Sequence, residues 1–115
     1  MTIERIQTKT RMSQCVIHGN TIYLAGQVAD DRHADISVQT RQVLTKIDSL
    51  LHEAGSDKTK LLSAQVWLAS IGHFSQMNAE WDAWVPEGHA PARACIEARL
   101  AAPELLVEIG IIAAK

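Results

Sequence analysis

In LLSAQVWLAS (residues 61–70) and LLVEIGIIAAK (105–115), apolar side chains stand at odd and even positions alike. Side chains in a β-strand alternate between two faces. Val66 and Leu68 therefore oppose Gln65, Trp67 and Ala69, while Val107, Ile109 and Ile111 oppose Leu106 and Ile112. A sheet built from these segments is apolar on both sides and needs two covers. The rest of the chain decides how many covers it has.

SQCVIH (13–18) and TIYLAGQ (21–27) are apolar runs separated by Gly19-Asn20, a hairpin signal. IERIQ before them reads as a further strand. From Asp35 the period lengthens. Ile36, Val43, Leu44, Ile47, Leu50, Leu51 and Ala54 fall on one helical face, with Gln, Arg, Lys, Asp and Glu on the other. Asp35 suits the N-cap, and Gly55 suits the left-handed residue that ends a helix. SDKTK is a polar loop, and 61–70 is too short and too rich in β-formers for a helix. Phe74, Met77, Trp81, Trp84 and Val85 repeat at helical spacing after Gly72, and Pro86 stops that helix. Segments 92–100 and 105–113 are two final strands, read as a hairpin around Ala102-Pro103. This order predicts an α+β sandwich, a single domain over 1–115 with one sheet and both helices on one of its faces. No residues remain to cover the other face. The second cover is then another copy of the chain, and cyclic symmetry is the economical arrangement.

Net charge narrows the partners. The chain has 11 Lys and Arg against 13 Asp and Glu, a formal charge of -2, and no basic run. Phosphate backbones are bound by clustered Lys and Arg, so nucleic acid is not the expected partner. No segment reads as membrane-spanning, and MTIERIQTK lacks the apolar run of a secretory signal. Cys15 and Cys95 show no metal spacing and are too few for a disulfide scaffold. His18, His33, His52, His73 and His89 show no H-x-x-x-H or H-x-E pattern. A cytoplasmic protein without metal or cofactor is the expectation.

The polar residues that remain are concentrated near the C-terminus. PARACIEARL (91–100) puts Arg93, Cys95, Glu97 and Arg99 on one strand face. A hairpin turning symmetrically about Ala102-Pro103 would set Glu108 opposite Glu97, Gly110 opposite Cys95 and Ile112 opposite Arg93. Arg93 and Glu108 would then share a face. Arginine suits bidentate capture of a carboxylate, and a partly buried carboxylate beside it suits proton transfer. Gly110 would leave room for a ligand beside Cys95. Together these make a pocket for a small carboxylic acid, or, equally, an Arg–Glu ladder that fixes strand register. Cys95 and Cys15 read first as small buried hydrophobes. At least one of Trp81 and Trp84, a helical turn apart, reads as core packing, and Asn78 as structural.

The runs GNTIYLAGQ (19–27), QTRQVLTKIDSLLHEAGSD (39–57), MNAEWDAW (77–84) and PARACIEARL with VEIGIIA (91–113) resemble the RidA family of reactive-intermediate deaminases along essentially the whole chain. The resemblance implies a chorismate-mutase-like fold of the bacillary type. It also implies a homotrimer whose sheets form an inner β-barrel with clefts between subunits. It implies hydrolysis of enamines and imines, the 2-imino acids left by pyridoxal-phosphate enzymes, to 2-keto acids and ammonia, without cofactor or metal. In that comparison Arg93 holds the substrate carboxylate, Cys95 lines the cleft through its backbone N–H, and Glu108 orients or activates water. Gly26, Ala25 and Asn78 match positions near the cleft, and Trp84 is taken as a further substrate contact. Many deaminating members carry Pro-Tyr ahead of a Gln in the N-terminal strand. This chain has RMSQ, with Met12 in the place of the Tyr. A non-catalytic trimer that binds small carboxylates is the alternative.

Overall fold

A computed structural model describes residues 1–115. Six strands and two α-helices follow the order β1 (Ile3–Thr8), β2 (Ser13–His18), β3 (Thr21–Val28), α1 (Ile36–Glu53), β4 (Leu61–Leu68), α2 (Phe74–Trp84), β5 (Ala92–Glu97) and β6 (Val107–Ala114). One mixed sheet carries all six strands in the order β1-β2-β3-β6-β4-β5. The expected α+β architecture is borne out, with both helices on one face of the sheet.

The local signals act where they were expected. The Asp35 carboxylate accepts a hydrogen bond from Val38 N at 2.9 Å and caps α1. Gly55, at φ 82°, ends the helix, with its N–H on His52 O and that of Ser56 on Leu51 O. Between the helices and the sheet lies one core that includes Ile22, Val43, Ile47, Leu51, Val66, Leu68, Met77, Ile109 and Ile111, all at 2% exposure or less. Arg41 on α1 meets Glu80 on α2 at 3.0 Å.

The terminal hairpin does not form. β4 stands between β5 and β6, parallel to β5 and antiparallel to β6. The physical reason is the route of the chain. α2 carries it from the end of β4 back to the start, so β5 returns parallel beside β4. Residues 98–106 then cross the end of β4 to reach its other edge, a longer connection than hairpin loops of 2–5 residues use. Gln39 on α1 holds this crossing. Its side chain is fully buried, donates to Ala34 O and Glu104 O and accepts from Leu106 N, each near 3.0 Å.

The face away from the helices carries Tyr23 and Ile96, 45% and 50% exposed, with Ile112 and Trp67 half-buried beside them. The two-sided apolar character read from the strands is present, and this chain covers one side only. No helix is long and apolar enough to cross a membrane.

Candidate functional site

Arg93 pairs with Ala64 of β4, and Cys95 with Val66. Both β4 residues are buried against the helices, so Arg93 and Cys95 point to the helix-covered face, at the edge strand. There α2 meets the arginine. The guanidinium carbon lies 5.1 Å from the centre of the Trp81 ring, and Nη1 lies 3.9 Å from the Met77 sulfur. The chain has two ion pairs, Arg41–Glu80 and Lys46–Asp30, and Arg93 is in neither. Its N–H groups therefore face no carboxylate, although the side chain is partly buried. Burial pushes the Cys95 thiol above its usual range, and the neighbouring Arg93 charge offsets part of that rise. A neutral thiol is a poor nucleophile.

Glu108 is on the opposite face. It pairs with Trp67 on one side and Val28 on the other. β3 carries a bulge here, with Ala25 and Gly26 set against the single residue Gly110. The Glu108 side chain lies over Gly26: a Cβ added there would stand 2.9 Å from the carboxyl carbon. Gln27, 6% exposed, braces the bulge by donating to Ala25 O at 3.0 Å and to Gln14 Oε1 at 2.8 Å. That second bond ties the bulge to β2, whose preceding turn carries the exposed Met12.

The shared face deduced for Arg93 and Glu108 is thus corrected, along with the register behind it. The two residues are two strands and about three residue steps apart, roughly 14 Å between backbones from strand spacing and rise, and their side chains leave opposite sides of the sheet. Glu108 faces Trp67 rather than Glu97, and Gly110 faces Gln65 rather than Cys95. The room at Gly110 is filled by this chain's own Trp67, whose ring lies 3.3 Å from where a Cβ would stand.

The other site residues divide in the same way. Gly26 stands with Glu108. Asn78 belongs to the Arg93 side: at about 100° per residue it lies on the flank of α2 opposite Glu80 and hence opposite α1. Its Oδ1 and the Nδ1 of His73 are buried without a partner in the chain. Trp84 lies against α1, donating its indole N–H to Asp48 at 3.0 Å, with Lys58 5.5 Å above the ring. Sequence reasoning missed Met77 and Trp81 as neighbours of Arg93, and Trp67 as the neighbour of Glu108. The apolar spacing that put Met77 and Trp81 in the core was the only signal for the first pair. The largest concavity, about 730 Å³, lies at the end of the sheet between Ala69 and the 97–105 segment and contains neither Arg93 nor Glu108. Glu97 at its rim is tied to Ile71 N at 2.9 Å.

The family model described as endoribonuclease L-PSP matches residues 2–115. The RutC family protein YoaB of Escherichia coli K12 is 46% identical over 114 residues, 99% of each chain. A crystal structure from Pseudomonas aeruginosa superposes with a TM-score of 0.97 at 46% identity, covering 99% of both chains. That of NMB1025, a YjgF-family member from Neisseria meningitidis, superposes with a TM-score of 0.96 at 45% identity, covering 100% of this chain and 96% of its own.

Proposed function

The chain belongs to the endoribonuclease L-PSP family, the RutC and YjgF/RidA proteins, and from that premise we propose that it hydrolyses small 2-imino acids, and their enamine tautomers, to 2-keto acids and ammonia. The observation that carries the reading is the state of Arg93: a partly buried guanidinium, held by an aromatic ring and a thioether, with no carboxylate of its own. A cation so placed is matched by an anionic ligand, and its planar fork suits a carboxylate.

Arg93 and Glu108 stand on opposite faces of one sheet, so a cleft that holds both takes the guanidinium from one copy and the carboxylate from the next. The half-apolar face around Tyr23, Trp67, Ile96 and Ile112 is the surface such a neighbour would cover. This agrees with the homotrimer and inner β-barrel of the chorismate-mutase-like fold that the resemblance implies.

The chemistry asks little of the protein. A protonated imine carbon is already electrophilic. Arg93 fixes the carboxylate beside it, which is mostly a matter of orientation. Water adds to that carbon as Glu108 takes one of its protons. That proton passes to the amino group. The C–N bond breaks as the carbinol O–H gives its proton to Glu108 and becomes the carbonyl, and the departing ammonia takes that proton up as ammonium. No redox partner enters the balance, and the neutral Cys95 thiol has no step in it. Gly26 and Cys95 line the cleft through backbone, and Asn78 borders the Arg93 side. Trp84, turned to Asp48, acts from behind Trp81. RNA, which the family description names, is a poorer fit to a chain of net charge -2 without a basic run.

The test generates imino acids in place with an amino-acid oxidase and follows their decay with and without the protein. Acceleration is expected, with Arg93→Ala lowering kcat/KM by about two orders of magnitude. Unchanged turnover in that variant would remove the reading. The second reading, a carboxylate-binding trimer without turnover, is favoured by Met12, which cannot donate the hydrogen bond a Tyr would. It wins if the wild type is silent while a 2-keto acid raises Tm in an Arg93-dependent way.

A further inference from the structure

We infer that Trp81, with Met77 beside it, is a positioning residue that presets the Arg93 guanidinium for a planar carboxylate, an inference that rests on the reading of Arg93 as a carboxylate anchor. A flexible arginine on an edge strand would ordinarily lose rotamer freedom when it grips a ligand. Here the freedom is already spent. Trp81, 4% exposed, is fixed in the core on the sheet-facing side of α2 and offers its ring at 5.1 Å to the guanidinium carbon. Met77, fully buried one turn earlier, meets Nη1 through its sulfur at 3.9 Å. An indole is the best of the aromatic faces for a cation. Neither the ring nor the thioether neutralises the charge, and a thioether is only a weak acceptor. The guanidinium is therefore held in place while its strong hydrogen-bonding capacity remains for a ligand. A glutamate in the position of Met77 would hold it as firmly and silence it. Trp84 completes the support: its ring lies 5.4 Å from that of Trp81, and its N–H is anchored on Asp48.

The experiment measures binding of 2-oxobutanoate, an unreactive stand-in for the substrate, to the assembled protein by calorimetry. The proteins compared are wild type, Trp81→Phe, Arg93→Ala and the double variant, with KM, kcat and Tm for each. Phenylalanine keeps the apolar packing and weakens the cation–π contact. Trp81→Phe is expected to raise Kd and KM together, about 3- to 30-fold, with kcat nearly unchanged. In the Arg93→Ala background the same change is expected to leave the residual affinity where it was. Trp81→Tyr, intermediate in cation–π strength, is expected to restore part of the loss. A Trp81→Phe protein with a lower Tm but unchanged Kd overturns the inference, since the ring would then be core packing only. So does a wild type that binds no 2-oxobutanoate. If binding shows the expected pattern but no imino acid is hydrolysed, the platform stands and the catalytic reading falls.

Discussion

A Cβ on Gly26 would stand 2.9 Å from the carboxyl carbon of Glu108, so the bulge of β3 and the acid of β6 compete for one volume. The glycine is explained by this approach. Its backbone angle is not in the left-handed region, unlike those of Gly19, Gly55 and Gly88. An alanine at position 26 is therefore sterically tolerable if the carboxylate moves. Gly26→Ala is expected to fold and to lower Tm by about 4 °C, a mild overpacking cost. The displaced carboxylate should lower kcat by about 10- to 100-fold, because small misplacements of a reacting group are expensive. Imine turnover beside a thermal melt checks it: a loss of kcat no larger than the loss of folded protein would show that the acid's pose does not matter.

A cleft built across a seam makes a second prediction. Arg93→Ala and Glu108→Gln are each expected to retain only about 1% of wild-type kcat/KM alone. Unfolded, mixed in equal amounts and refolded together, they should recover about a quarter of wild-type activity, because random pairing gives that share of seams an intact Arg93 from one copy and an intact Glu108 from the next. Recovery is read from the refolded mixture against each variant refolded alone. A mixture as inactive as its components would mean that both groups act from the same chain.

The limits of the sequence are visible at these same residues. Asp35 and Gly55 were legible because a cap and a left-handed glycine are local devices, decided within a few residues. The amphipathic period of α1 was legible for the same reason, except at Gln39 and Thr40, polar residues that are both fully buried. Read by type, a glutamine belongs on the polar face; here it is fully buried because the 98–106 crossing brings backbone groups to it from 65 to 67 positions away. The pairing of β5 was illegible as a hairpin because β4 intervenes. The nine residues between β5 and β6 were the available warning. Arg93 and Glu108 were found as charges in apolar strands, but the face each occupies is a consequence of register, and one strand in the wrong place reverses it.

The cysteines give a prediction with a definite sign. Burial raises the thiol of Cys95 above its ordinary value of 9.0, with Arg93 opposing, and raises that of Cys15, with Glu53 adding to the rise. A group with a raised pKa in the folded state supplies stability that is complete below its unfolded pKa and is lost as pH climbs through the folded one. Tm should therefore fall above about pH 9, and Cys95→Ser should flatten part of that slope, since serine does not titrate there. Turnover at pH 7 should change less than about 3-fold in the same variant if the thiol has no chemical step. A Cys95→Ser enzyme that loses activity as Arg93→Ala does would give the sulfur a role that its neutral state argues against.

Gln39 supports the last prediction. Its side chain donates to two carbonyls, Ala34 O and Glu104 O, and accepts from Leu106 N, all away from water. Gln39→Leu keeps nearly the same volume and leaves those three backbone groups unpaired, at about 1 kcal/mol each or more. Tm should fall by roughly 10 °C, and amide exchange at Leu106 should accelerate well beyond that at Val43 on the same helix, because the crossing segment loosens before the core does. The crossing delivers the chain to β6 one residue before Val107 and two before Glu108. Activity should consequently fall at temperatures where the protein is still folded, an uncoupling that a loss spread evenly over the domain would not produce.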